Sequence, residues 1–304
     1  MNGIEAAFKN GDISEKSRDH YIKFIGVIEK RTGSKITYLL THPTKALTYI
    51  RETYKTPSSQ KTAMNIMVTV FKHNSALRIK YPRHYDKWRV LYKDIGAKVL
   101  EKYENNEASA RQKAAYLPLA EVIRIRDALD KASEDYLIIC MYTMIPPVRA
   151  DYGAVAILTR KPTGAKATTG NYMIVTASSA TLVLNEFKTQ RSRIHQYVRV
   201  LPADLEKVVR ASLKQTPRDY LVVGQNGRPF EKDNSYIKHV NNIFKRVFSK
   251  PVTISMLRHI YVNDQDFNAM TTKEKREPSE SMLHSSTMND MYRLKFDDCS
   301  CDKK

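Results

Sequence analysis

Four short runs rich in β-branched and aromatic residues, 154–158, 172–176, 181–187 and 197–201, stand together in one block of this chain, joined by turn-rich connectors such as 164–170. Runs of this length and composition read as strands. Outside the block the apolar residues recur at helical spacing. One small β region set into helical sequence leaves little choice of architecture, and the expected fold class is mainly α with a small β-sheet, an α+β chain.

The helical pattern begins at once. Residues 12–31 predict an amphipathic helix with Asp12 or Ser14 as its cap, Tyr21, Phe24, Ile25 and Ile28 on its apolar face, and Gly33 as its stop. A second helix is expected from about Pro43, carrying Ala46, Leu47 and Ile50. Thr56-Pro57-Ser58-Ser59 opens a third with Ala63, Met64, Met67, Val68 and Phe71, and a fourth covers 83–103 with Trp88, Leu91, Ile95 and Leu100. The period then lapses at Asn105-Asn106-Glu107-Ala108-Ser109-Ala110, which marks a boundary. The expected organisation is a helical domain over 1–105, a linker over 106–117 and a second domain over 118–304.

The second domain continues with helices over 119–129 and 134–144, the latter too apolar to face water. Pro146-Pro147 ends it, and Val148-Arg149-Ala150-Asp151-Tyr152 follows, so Arg149 sits at a helix junction where a backbone turn can aim it at a ligand. After the strands come helices over 203–214 and 234–248.

Charge narrows the partner. Lys and Arg number 51 against 32 Asp and Glu, a net +19, while 42% of the residues are hydrophobic, so the chain can both fold and attract a polyanion. Lys16, Lys23, Lys61 and Lys72 stand on the first-domain helices as candidate DNA contacts. No apolar run approaches the roughly 20 residues that span a bilayer, and the 3 cysteines supply no disulfide framework. A soluble, intracellular protein is expected. No further cysteine or histidine stands near Cys299 and Cys301, so no metal is expected, and no cofactor motif is present.

The chemistry-bearing residues cluster late. Ile254-Ser255-Met256-Leu257-Arg258-His259-Ile260-Tyr261 places an arginine inside an apolar helical run; Met282-Leu283-His284-Ser285-Ser286 and then Tyr292 follow. Lys188 ends a strand in Asn185-Glu186-Phe187-Lys188-Thr189, where a hairpin would carry it towards a groove. Taken singly these residues have ordinary readings: a solvated lysine, a structural tyrosine, His259 as a packing residue, His195 as surface. An arginine, a histidine and a tyrosine in this order are what cleavage of a phosphodiester by a tyrosine requires.

In order, Arg149, Lys188, Arg258, His284 and Tyr292 resemble the catalytic set of the tyrosine recombinases, the phage-integrase family. The resemblance implies a helical core-binding domain followed by a catalytic domain. It makes Arg149 and Arg258 the two catalytic arginines, Lys188 the hairpin lysine and general acid, His284 the His/Trp position and Tyr292 the nucleophile. The phrasing around Pro146-Pro147-Val148-Arg149 and Leu184-Asn185-Glu186-Phe187-Lys188 is most similar to integrases of large DNA viruses and their mobile elements. Strand exchange through a 3′-phosphotyrosyl link follows, without metal or cofactor, by a homotetramer on double-stranded DNA. The place of action would be the cytoplasm or nucleus of a host cell, with carriage in a virion as a further expectation.

Elementary chemistry explains the residue types. Attack on a phosphate builds negative charge on its nonbridging oxygens, which preorganised cationic donors stabilise. Guanidinium groups bind such oxygens bidentately and stay charged. One departure stands out: the family places a histidine one helical turn before the second arginine, where this chain has Ser255. Serine accepts no proton usefully at neutral pH, leaving water or His284 to take the phenol proton. A type IB DNA topoisomerase shares the rest of the set, and a catalytically silent DNA-binding relative is the other alternative.

Overall fold

A computed structural model describes residues 2–9, 13–188, 196–266, 270–271 and 273–296, the side chains of 2, 3, 165, 166 and 286 aside. The chain forms two compact units, Met1–Asn105 and Asn106–Lys304.

The first unit is helical throughout its described residues. Helix α1 (Asn2–Lys9) leads to α2 (Glu15–Thr32), α3 (Ile36–Thr41), α4 (Pro43–Thr53), α5 (Pro57–His73), α6 (Ser75–Lys80) and α7 (Pro82–Glu104). The expected caps operate: the Ser14 side chain accepts from Ser17 N, Thr56 accepts from Ser59 N, and Gly33 closes α2 in the left-handed region at φ 63°. Asp12, the alternative cap, lies outside the described residues. Helices α1, α3 and α6 were not expected; α6 buries no side chain, so no apolar period marked it. Phe8, Ile28, Leu39, Ile50, Phe71 and Trp88 form the core, and the Trp88 indole N–H donates to Leu40 O at 3.0 Å. Each such side chain contributes roughly 1.5–3 kcal/mol of transfer free energy.

The basic residues decorate this core differently. Lys16 and Lys23 share one side of α2 and are exposed, and Lys72 is exposed on α5. Lys61 is half-buried, its ammonium 5.7 Å from the centre of the Tyr92 ring on α7.

The second unit opens with α8 (Ala110–Ala115), inside the stretch expected to be a linker. A capping box nucleates it: Ser109 accepts from Gln112 N, and Gln112 reaches back to Ser109 N. Only Ala115 of this helix is buried, so its sequence carries no readable apolar face. Helices α9 (Leu119–Asp127) and α10 (Glu134–Thr143) follow. Strands β1 (Val155–Leu158), β2 (Asn171–Val175), β3 (Ala180–Leu184) and β4 (Tyr197–Val200) then form a sheet in that order, with β1 parallel to β2 and the other pairs antiparallel. Helices α11 (Ala203–Gln215), α12 (Asp233–Phe248), α13 (Ile254–Asp264), α14 (Arg276–Ser281) and α15 (Ser286–Tyr292) complete the unit. Apolar on every side, α10 is central and packs against α9, α11, α12 and α13. No helix among the described residues is long and apolar enough to cross a membrane.

Candidate active site

Three chain segments meet at Arg258. Helix α13 carries it in a run where Met256, Leu257 and Ile260 are buried, and its own side chain is 1% exposed. A guanidinium withdrawn so far from water needs partners for its five N–H groups. Nη1 donates to Pro147 O and to Met282 O, the latter at 3.1 Å; Nη2 donates to Met282 O and to His284 Nδ1, both at 3.1 Å; Nε donates to the Tyr292 hydroxyl at 3.2 Å. Every donor is used within the chain.

The turn between α14 and α15 supplies two of those acceptors. Leu283 adopts the left-handed region at φ 56°, a conformation that costs a non-glycine residue about 1–3 kcal/mol. Met282 O faces Arg258 through this turn, while Leu283 O accepts from Arg149 Nη1 at 3.1 Å. Both arginines are thereby tied to one strained turn.

Arg149 is half-buried after Pro146-Pro147. Its backbone N–H donates to Asp151 Oδ2 at 3.0 Å and its carbonyl accepts from the Tyr142 hydroxyl at 2.7 Å, so the turn is fixed from two sides. Nε and Nη2 carry no hydrogen bond among the described residues, which leaves Arg149 the arginine with donors available to a ligand.

His284 is 6% exposed, and both ring nitrogens are engaged. An arginine can only donate, so Nδ1 accepts from Arg258; Nε2 then carries the hydrogen and donates to Asn289 Oδ1 at 3.0 Å. Burial and the Arg258 charge drive its pKa down to about 3, so the ring is neutral at pH 7. It orients Arg258 rather than presenting a donor outward, and an acceptor nitrogen already bonded to a guanidinium is no base for the phenol.

Tyr292 is the last residue of α15. Its ring packs against the rings of both His259 and His284, at centroid distances of 4.7 and 5.2 Å, with the Arg258 guanidinium carbon 4.9 Å from its centre. Burial alone would raise the phenol pKa, but the charge and hydrogen bond of Arg258, with the charges of Arg149 and Lys188, outweigh it and bring the pKa below its ordinary value of 10.0.

Lys188 is exposed in the connection from β3 to β4, close enough for its charge to act on Tyr292. The connection's 189–195 portion, His195 included, lies outside the described residues. Asn171 anchors the start of this segment. Its Oδ1 accepts from Asn185 N and Glu186 N, both at 2.9 Å, and its Nδ2 donates to Glu186 O and to Asp151 O, at 3.0 and 3.1 Å. One side chain thus links the approach to Lys188 with the turn that follows Arg149. An asparagine opening a strand carries no functional mark, so nothing in the sequence singles out Asn171.

Ser255 stands apart. It is exposed in the first turn of α13, and its hydroxyl makes no hydrogen bond among the described residues. The structure therefore brings Arg149, Arg258, His284 and Tyr292 into one network, sets Lys188 at its edge, and leaves Ser255 outside it.

No family profile matches this sequence, and no curated protein matches it. Among solved structures, the crystal structure of XerA recombinase overlaps 97% of this chain and 93% of its own, with 13% identity and a TM-score of 0.42.

Proposed function

We propose that this chain cleaves and rejoins DNA through a covalent 3′-phosphotyrosyl link at Tyr292, as a site-specific recombinase or integrase. The observation that carries this reading is the Tyr292 hydroxyl, held by Arg258 at 3.2 Å and made more acidic than a free phenol by three surrounding cations. A structural tyrosine needs no such surroundings.

In the proposed reaction the Tyr292 oxygen bonds to phosphorus while the bond from phosphorus to the 5′-oxygen breaks. The phenol proton passes to solvent water, because His284 is committed to Arg258 and Ser255 lies outside the network. Lys188 gives the 5′-oxygen its proton. Arg149 holds the nonbridging oxygens through its available donors, and Arg258 offers Nε to the same charge once the hydroxyl has become the attacking group. Reversal by a 5′-hydroxyl of a partner strand restores Tyr292 and completes exchange, so no cofactor is consumed.

Double-stranded DNA is the partner this reading requires, with the net charge of +19 and the exposed lysines of α2 and α5 as its electrostatic support. A homotetramer on two sites, action in the cytoplasm or nucleus of a host cell, and kinship with integrases of large DNA viruses belong to the same proposal. They rest on the order and phrasing of the motif residues. A nicked suicide duplex tests the core of it: wild type accumulates a covalent adduct and Tyr292→Phe none. Wild type that forms no adduct on any duplex defeats the reading. Rapid relaxation of a supercoiled plasmid at low enzyme-to-DNA ratio, with no recombinants, would instead favour a topoisomerase.

A further inference from the structure

The carbonyl of Tyr292 lies at the C-terminal end of α15, where a helix leaves its last carbonyls without internal partners. His259 takes it: Nδ1 is 2.6 Å from Tyr292 O. A carbonyl only accepts, so Nδ1 carries the hydrogen, and a neutral ring then presents a lone pair at Nε2. Gln112 Nε2 meets that lone pair at 3.3 Å. The amide of Gln112 is itself fixed, because its Oε1 accepts from Ser109 N at 2.9 Å and Ser109 Oγ at 2.7 Å in the capping box of α8. Donors and acceptors agree at every step from Ser109 to Tyr292.

We propose that His259, backed by Gln112, is the positioning residue for Tyr292. It holds the carbonyl and packs its ring against that of Tyr292, and so sets where the hydroxyl sits against Arg258. The first helix after the boundary at Asn105 is thereby part of the support of the reacting tyrosine. Neighbouring Arg258 and His284 act on the ring and the hydroxyl, His259 holds the Tyr292 carbonyl itself, and Asn263 holds the main chain two residues on, through the N–H and carbonyl of Leu294. The effect on cleavage rests on the phosphotyrosyl reading, whereas the effect on the phenol does not.

The test uses His259→Phe, which keeps a ring but removes both nitrogens, and His259→Asn, whose amide N–H can reach the place of Nδ1–H. Tyrosine labelled with 13C at Cζ is titrated by NMR in the free protein, with Tyr292 identified by its absence in Tyr292→Phe. The Tyr292 midpoint should rise in His259→Phe and return towards wild type in His259→Asn. On a saturating nicked duplex, adduct formation by His259→Phe should slow about 10- to 100-fold, with DNA affinity held within about twofold and partial rescue by His259→Asn. A folded His259→Phe that titrates and cleaves like wild type overturns the proposal while leaving the enzyme reading intact. A shifted midpoint alongside a wild type that forms no adduct supports the positioning and defeats the enzyme reading. Should His259→Phe fail to fold, Gln112→Leu gives both readouts, and no change in either overturns the proposal.

Discussion

Arg258 Nε and the Tyr292 hydroxyl lie 3.2 Å apart, so the cation and the phenol of the proposed reaction are partners before any DNA arrives. The pairing answers two demands at once. It satisfies the last donor of a guanidinium that is 1% exposed, and it helps bring the phenol pKa below 10.0 despite burial.

The two arginines should separate in their effects. Arg258→Ala leaves Pro147 O, Met282 O and His284 Nδ1 without their donor, a loss expected to cost about 2–4 kcal/mol of stability as well as activity. Arg149→Ala removes one hydrogen bond to Leu283 O and should cost about 1 kcal/mol or less, yet slow cleavage about 100- to 1,000-fold. Urea denaturation beside single-turnover cleavage reads both; equal stability losses would contradict the division.

Lys188 is assigned the proton for the leaving oxygen. A duplex with sulfur in place of the bridging 5′-oxygen releases a thiolate, whose conjugate acid has a pKa near 8.5, and so needs no such proton. Lys188→Ala should therefore lose about 100-fold or more on ordinary DNA and regain most of it on the sulfur-bridged duplex. Equal losses on both substrates would remove Lys188 from that role.

His284 makes stability depend on pH. Its folded pKa of about 3 lies below the usual 6.5, so the unfolded chain takes up the proton first. The contribution is complete above pH 6.5 and falls as pH drops towards 3, by about 2 kcal/mol at pH 5. His284→Gln retains an acceptor for Arg258 and a donor for Asn289 but does not titrate. Its urea midpoint should decline less than wild type between pH 7.5 and 5; parallel declines would contradict the assignment.

The exposed lysines of the first unit should report as phosphate contacts. Lys16→Ala, Lys23→Ala and Lys72→Ala are each expected to lower the slope of log affinity against log salt by about one. Lys61→Ala should do less, because its ammonium lies over the Tyr92 ring. Anisotropy titrations across salt concentration measure this, and a flat dependence in wild type would argue against a DNA-binding face.

Much of this was legible because it depends on local rules. Ser14, Gly33, Pro43 and Thr56 mark helix ends through their own backbone chemistry, and the single β block reads from its composition. What escaped was non-local. His259 gains its meaning from Gln112, far upstream, and Asn171 from backbone groups on two other segments. The saturation of Arg258 by Pro147 O and Met282 O has no sequence signature, since every residue owns a carbonyl. Nor does a sequence announce that Leu283 takes a left-handed turn to aim two carbonyls at two arginines.

The most direct measurement is the site and polarity of the covalent link. A nicked suicide duplex labelled on either side of the nick is incubated with wild type, the adduct is digested, and the nucleotide-bearing peptide is sequenced by mass spectrometry. The account predicts a 3′-phosphate carried by Tyr292. Attachment to any other residue, or a 5′-phosphate on Tyr292, would contradict it.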